Sequence, residues 1–400
     1  NMKINKILHN NKNLNFEREH DAVFIDFSEK IASEKTEIIS VFYEGKPTES
    51  KRPPWKSGLV WKKDKDKNKW VGVACEGDGA SIWWPLKDHP YDEADSTNIN
   101  ITVPKGLFCV SNGRLQERKV SKNGEKETFK WLVSYPINTY NVTLYIGNYE
   151  HFSLPYSKND TIYPLQFYVL PYNKEKAKKH FEQTEDIIRY FETAFGEYPW
   201  WRDEYKMVES PYAGMEHQTA IAYGSGYKNR MGYNFDYIIL HETAHEWWGN
   251  SITAKDMAHL WLHEGFATYS EALYVEHSEG YDAYLDYINF YAIFIKNKRP
   301  IVGPEDVNYF NFKDGDIYTK GALTLHSLRS VINDDDLFKS ILHDFAVKYR
   351  SQIVTTQDFI DFVNEKTKTD YNCFFSQYLY DRKPPKFQYF LAYNNKNKET

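Results

Sequence analysis

The sequence predicts an α+β protein of more than one domain, with an antiparallel β-region first and a mostly helical region after it. Three observations carry this reading. Residues 16 to 170 hold short runs of alternating apolar and polar residues separated by turn signals, the period-2 mark of half-buried strands. Near Asn173 the period changes, and apolar residues recur at helical spacing over most of the remaining chain. A length of 400 residues suffices for two or three domains and a large core.

The first strand, AVFIDF, sets Val23, Ile25 and Phe27 on one face, with Asp26 between. GLVWKKDKDKNKWVGVAC reads as a hairpin whose apolar arms flank the charged run Lys62 to Lys69. The signs in that run are mixed, so it is a solvated turn rather than a site for an acidic partner. The aromatic, turn-rich SIWWPLKDHPYDEAD comes next, and NVTLYIGNYEHFSL and IYPLQFYVLPY supply further strands. KEKAKKHFEQTEDIIRYFETAFG then places Ala177, Phe181, Ile188, Phe191 and Phe195 at helical spacing, with Gly196 to stop the helix. VESPYAGMEHQTAIAYGSG is a strand-and-loop stretch. Helices are expected at about 235–248, 258–277, 281–296, 320–332, 336–349 and 356–366. The Pro-rich DRKPPKFQYF reads as a linker into another strand. The expected domains are 1–170, a β-domain; 171–383, the helical domain; and 384–400, the start of a further domain or a C-terminal tail.

Composition removes several function classes. The net charge is −6, so nothing points to nucleic acid or an anionic membrane surface. No apolar run approaches the ~20 residues of a membrane span. NMKINKILHNNKN lacks the apolar core of a secretory signal; a signal removed earlier leaves the compartment undetermined. Cys75, Cys109 and Cys373 are far apart and odd in number, which gives neither CxxC metal spacing nor a disulfide framework. Oligomeric state is not written in these features.

The chemistry concentrates in HETAHEWWGN, residues 241–250. On a helix, His241 and His245 project from one face a turn apart, and two imidazoles so placed can hold one Zn²⁺. Glu242 sits ~100° around from His241, in reach of a water at the metal without displacing it. With 13 His in the chain, chance supplies ~0.03 such matches, so the pattern is specific without being decisive. Catalytic zinc needs a third protein ligand and an open fourth position. Glu264, with eighteen residues between it and His245, supplies it on the next helical segment; His259 and His263 are rivals nearby, ranked as structural only because neither belongs to the family pattern that the chain resembles below. Glu271, two turns beyond Glu264 on the same face, is a candidate to orient a ligand histidine, against the bland alternative of an exposed helix glutamate.

On these residues the chain resembles the aminopeptidase N family of zinc metallopeptidases, gluzincins with a thermolysin-like catalytic domain. The family signature is HExxH, eighteen residues, then Glu, matched by His241-Glu242-Thr243-Ala244-His245 and Glu264. Its Gly-x-Met-Glu-Asn motif resembles Ala213-Gly214-Met215-Glu216-His217, with Ala213 and His217 departing from the pattern. IYTKGALTLHSLR is similar to the family's Tyr-x-Lys-Gly segment, and WWPLKDHPYDEAD to a turn that closes its N-terminal domain, with Leu86 in place of the usual Cys.

The resemblance implies an aminopeptidase with one Zn²⁺ per chain, held by His241, His245 and Glu264. It implies Glu242 as general base and Tyr318 as donor to the oxyanion. Glu216 and Glu76 would bind the substrate's amino group, and Gly214 and Met215 its backbone. The implied partners are peptides with a free N-terminus. It also implies that several first strands and a helical C-terminal domain are absent, as in a short member or a fragment.

The alternatives are another hydrolase on the same scaffold, an endopeptidase or an epoxide hydrolase, and a non-catalytic binding protein on this fold. A carboxylate wall argues against an endopeptidase, because it rejects an uncharged internal peptide. Retention of His241, His245, Glu264 and Glu242 argues against a binding protein. A structural zinc site would favour cysteines, and none is near.

Overall fold

The computed structural model describes residues 2–383 apart from Ser28, Met231, Phe310, Asn311 and Lys313. The expected linker, strand and further domain in 384–400 lie outside the described residues. The chain divides into two compact units, Asn1–Glu185 with Trp200–Glu242 and Asp186–Pro199 with Thr243–Thr400.

The first unit opens with strands β1 (Met2–His9), β2 (Lys12–Glu19), β3 (Ala22–Asp26) and β4 (Ile39–Gly45), in sheet order β3-β2-β1-β4. Strand structure therefore begins before residue 16. The local signal for it is Asn10-Asn11, both in the left-handed conformation (φ 49° and 64°), which close a two-residue turn between paired His9 and Lys12.

The expected hairpin is present as β5 (Gly58–Lys63) and β6 (Lys69–Ala74), with Lys63 opposite Lys69. Next come β7 (Thr97–Pro104), β8 (Phe108–Ser111), β9 (Arg114–Val120), β10 (Lys126–Val133) and β11 (Leu144–Gly147). They form sheets ordered β5-β6-β11-β8 and β7-β10-β9.

The last sheet of this unit is mixed and five-stranded, ordered β12-β13-β14-β16-β15. Its strands are β12 (Glu150–Lys158), β13 (Thr161–Val169), β14 (Tyr205–Glu209), β15 (Gly214–Met215) and β16 (Ile221–Tyr223). β14 runs parallel to both neighbours, because residues 170–204, helix α1 (Lys174–Phe181) among them, carry the chain back before β14 begins. One apolar cluster runs from Val71, Val73 and Val110 through Trp131 and Tyr145 to Met215 and Ala222, so the β-region and the motif strands share a core.

The single helix expected from residue 174 is two, α1 and α2 (Gln183–Phe195). Helix α3 (Tyr237–Ala244) is shorter than the expected 235–248. It ends in tightened turns, Glu246 N to Thr243 O and Trp247 N to Ala244 O, both at 3.1 Å, and beyond them the Trp248 carbonyl turns back to accept from the His245 ring at 2.8 Å.

The second unit holds most of α2 and the helices α4 (Trp261–Glu279), α5 (Tyr281–Ala292), α6 (Asp316–Ile332), α7 (Asp335–Lys348), α8 (Thr356–Thr367) and α9 (Asn372–Phe375), the last running into a π-turn. A short parallel pair, β17 (Ile252–Ala254) and β18 (Gln352–Val354), ties two distant loops. Trp248–Phe266, Phe266–Phe359 and Phe345–Phe359, with centroids 4.7, 5.0 and 5.1 Å apart, form its aromatic core. Helix α6 starts at 316 rather than 320: Gly315 turns into it at φ 77°, and the Asp316 carboxylate accepts from Lys296 N and Asn297 N, both at 2.8 Å. The earlier start puts Tyr318 on the helix.

Candidate metal centre and active site

Helix α3 is fixed at its start by Asp236, a fully buried carboxylate. It accepts from Ile238 N at 3.0 Å, from Tyr223 Oη at 2.6 Å, and pairs with His180 Nε2 at 2.8 Å. The helix then presents His241, buried, with its ring 5.6 Å from that of Tyr237. His245 comes a turn later. A carbonyl can only accept, so His245 Nδ1 carries the proton in its bond to Trp248 O, and Nε2 presents its lone pair.

That Nε2 lies 3.3 Å from Glu264 Oε2. Two ligands of one tetrahedral zinc, each ~2.0–2.1 Å from it, stand ~3.3 Å apart, so the pair has the spacing a shared ion requires. One ligand atom each from His241, His245 and Glu264 lie within 4.8 Å of one another. Three buried N and O donors with a fourth position left over suit a catalytic zinc.

Glu264 sits in the first turn of α4, where the next residue is Gly265. A methyl on Gly265 would meet Gly321 Cα of α6 at 3.0 Å and Ile317 O at 3.1 Å. The two helices cross backbone to backbone there, and Tyr318, half-buried, lies one turn before the crossing.

The rival histidines are committed elsewhere. His263 Nε2 accepts from Ala254 N at 2.8 Å, and burial pushes that ring's pKa down to about 3. His259 bonds Thr356 Oγ1 at 2.9 Å through Nδ1 and Glu305 at 3.2 Å through Nε2. Glu271 is not an exposed helix glutamate: it is 0% exposed, and its Oε2 accepts from Tyr287 and Tyr291 of α5, at 2.5 and 2.6 Å.

In the first unit Glu242 is buried, and Gly214 of the edge strand β15 is packed against it. A methyl on Gly214 would collide with Glu242 Oε1, so a larger residue there would displace that carboxylate from the place it holds. Met215 points into the apolar core. Glu216 is 3% exposed, accepts from Tyr140 Oη at 3.1 Å, and has an oxygen within 4.8 Å of a Glu242 oxygen.

Glu76 is half-buried just past β6. Its neighbour Cys75 has its thiol pKa pushed up, first by burial, then by the charge of Asp88, with Glu76 and Glu216 adding to it. The charges of both carboxylates reach the same thiol. His217 is fully buried. Tyr145 Oη gives its proton to Ala220 O (2.9 Å), so His217 Nδ1 donates to the phenol oxygen (2.7 Å), and burial pushes the ring's pKa down to about 3. Sequence reading does not find Tyr140, Tyr145, the Trp248 carbonyl or the Gly265–Gly321 crossing; Tyr145 lies in a stretch read as strand and Tyr140 just ahead of it, and nothing local marks their partners.

A profile described as Peptidase family M1 domain matches residues 179–378. Glutamyl aminopeptidase of Mus musculus is 27% identical over 310 residues, covering 70% of this chain and 31% of that protein. Probable aminopeptidase 2 of Sulfurisphaera tokodaii is 25% identical over 346 residues, covering 80% of this chain and 42% of that protein. The chain therefore spans well under half the length of these curated relatives. Among solved structures, an M1 zinc metallopeptidase from Deinococcus radiodurans aligns with a TM-score of 0.79 at 22% identity, over 96% of this chain and 85% of that one; the likeness is one of fold. Among the described residues no helix is long and apolar enough to cross a membrane.

Proposed function

The chain belongs to peptidase family M1, and on that premise we propose that it is a zinc-dependent aminopeptidase that removes the N-terminal residue from peptides. The observation that carries this reading is the closeness of Glu216 to Glu242, with oxygens within 4.8 Å. In a peptide the α-nitrogen and the carbonyl carbon of the same residue are only ~2.5 Å apart, two bonds of ~1.5 Å. A carboxylate that receives the ammonium beside the base that serves the carbonyl therefore limits cleavage to the first peptide bond.

His241, His245 and Glu264 would hold the zinc. When bound, zinc supplies a Lewis acid that makes water acidic and polarises the scissile carbonyl. Glu242 takes the proton of the attacking water and hands it to the leaving amine. Tyr318 donates to the oxygen that becomes negative, a bond strongest in the transition state. Glu216 and Glu76 oppose the α-ammonium and replace its lost hydration. Gly214 and Met215 offer backbone groups of an edge strand to the substrate main chain, and Glu271 orients a ligand histidine.

The test compares a peptide with its N-acetyl form on the zinc-loaded protein. The free peptide should be cleaved and the acetylated one strongly rejected, since the latter leaves buried carboxylates unpaired. Glu216→Ala should lower kcat/KM on the free peptide by roughly 2–4 kcal/mol with zinc retained. Equal cleavage of both peptides would replace the aminopeptidase reading by an endopeptidase or another hydrolase.

A further inference from the structure

We propose that Tyr140 is a positioning residue for the amine-binding carboxylates, holding Glu216 through its phenol and the Cys75–Glu76 stretch through its carbonyl. The proposal rests on the reading of Glu216 and Glu76 as receptors of the substrate ammonium.

Tyr140 sits in a short 3-10 turn, Thr139–Asn141, and is 6% exposed. Its phenol donates to Glu216 Oε1 at 3.1 Å. Its carbonyl accepts from Cys75 Sγ at 3.3 Å, one residue before Glu76. Two carboxylates 140 positions apart in the chain are thus referenced to one residue between them.

The turn is itself held. Asn138 Oδ1 accepts from Tyr140 N at 3.1 Å, and Asn138 Nδ2 donates to Pro90 O at 2.7 Å.

The bond to Glu216 is also the first rung of a ladder. His217 bonds Tyr145 Oη at 2.7 Å. Gln218 N donates to Asn141 Oδ1 at 3.2 Å, and Gln218 O accepts from Asn112 Nδ2 at 2.7 Å. Thr219 Oγ1 accepts from Gly113 N at 2.8 Å, and Ala220 O accepts from Tyr145 at 2.9 Å. Every residue from 216 to 220 is bonded to the stretch 112–145, and these partners are buried.

A buried ladder of this kind fixes direction. A carboxylate set before the substrate arrives spares the ammonium the cost of ordering it, which is a gain in binding rather than in chemistry. The effect should therefore fall on KM for free-amine substrates. Phe at 140 keeps the ring and its packing and removes only the donor.

The experiment uses the zinc-loaded protein, free and N-acetylated forms of one peptide, and the variants Tyr140→Phe, Glu216→Gln and their combination. Tyr140→Phe should raise KM for the free peptide about 10-fold, from the loss of one hydrogen bond to a charged group. It should leave kcat within about 2-fold, keep one zinc per chain, and leave the slow acetylated reaction unmoved. In the Glu216→Gln background the same change should add nearly nothing. Asn138→Ala, which loosens the turn without touching the phenol, should raise the same KM less, and it stands in should Tyr140→Phe fail to fold. An unchanged KM in a folded Tyr140→Phe protein that still rejects the acetylated peptide would overturn this proposal alone. A parent protein that cleaves both peptides alike would overturn the amine-site reading with it. A fall in kcat on both peptides alike would assign Tyr140 a structural part only.

Discussion

Gly265 and Gly321 touch backbone to backbone: a methyl on Gly321 would come within 2.9 Å of Gly265 Cα. The contact lies next to Glu264 on one helix and one turn after Tyr318 on the other, so it sets how far apart the proposed ligand and the proposed oxyanion donor stand. Gly321→Ala must push the helices apart, because both facing atoms are main chain. It should cost about 1–3 kcal/mol of stability and lower kcat at least about 10-fold, with zinc still bound. Denaturant melts, metal analysis and kcat together check this; unaltered turnover would show that the crossing does not govern the site.

The ligand set has its own consequence. His245→Ala removes one of three donors and should leave a site too weak to retain zinc, while the fold persists. Elemental analysis beside circular dichroism reads both. Full zinc occupancy in that variant would remove His245 from the centre.

The proposed base and the proposed oxyanion donor should fail differently from the proposed ligands. Glu242→Gln keeps the shape that fills the space above Gly214 and cannot take a proton, so zinc should stay and kcat should fall ~10²-fold or more. Tyr318→Phe should lower kcat more than it raises KM. Normal kcat in either variant would refute that residue's part.

His217 couples the site to pH. Burial lowers its pKa from 6.5 in the unfolded chain to about 3 in the fold. Between those values the unfolded chain binds a proton that the fold does not. The stability is therefore complete above pH 6.5 and is lost as the pH falls toward 3. Asn at 217 has no such proton to gain. Between pH 6.5 and about pH 5, His217→Asn should lose about 2 kcal/mol less stability than the parent, measured by urea unfolding in one metal state. Equal losses would mean that His217 is charged in the fold.

Legibility in the sequence tracks the range of the interactions. The hairpin at Lys63–Lys69 and most helices declare themselves locally, through periodicity, caps and turn residues. The His241–His245 spacing is legible because helix geometry converts a short pattern into a shared face, whereas Glu264, on another helix, is separated from its histidine rivals only by the resemblance. The end of α3 is not legible, since no glycine or proline interrupts the sequence between Ala244 and Gly249 to mark it. Glu271 is ambiguous in sequence because its burial is decided by Tyr287 and Tyr291 on another helix. Tyr140 carries no mark at all: its partner is 76 positions away, and only the fold brings the two together.

The rungs between residues 112–145 and 216–220 also bear on how such a chain can change over evolutionary time. His217 stands where the resembled family carries Asn, and Tyr145 is the phenol that receives its imidazole. A substitution on either side obliges an answer on the other, so the two stretches should drift together rather than singly. Recombination with a relative should keep these rungs, and the contacts of Tyr140 with Cys75 and of Asn138 with Pro90, within one parent when the crossover falls ahead of residue 75. A crossover between 145 and 205 would inherit both candidate ligand histidines intact and yet leave an imidazole, an amide and a carboxylate facing a stranger's side chains.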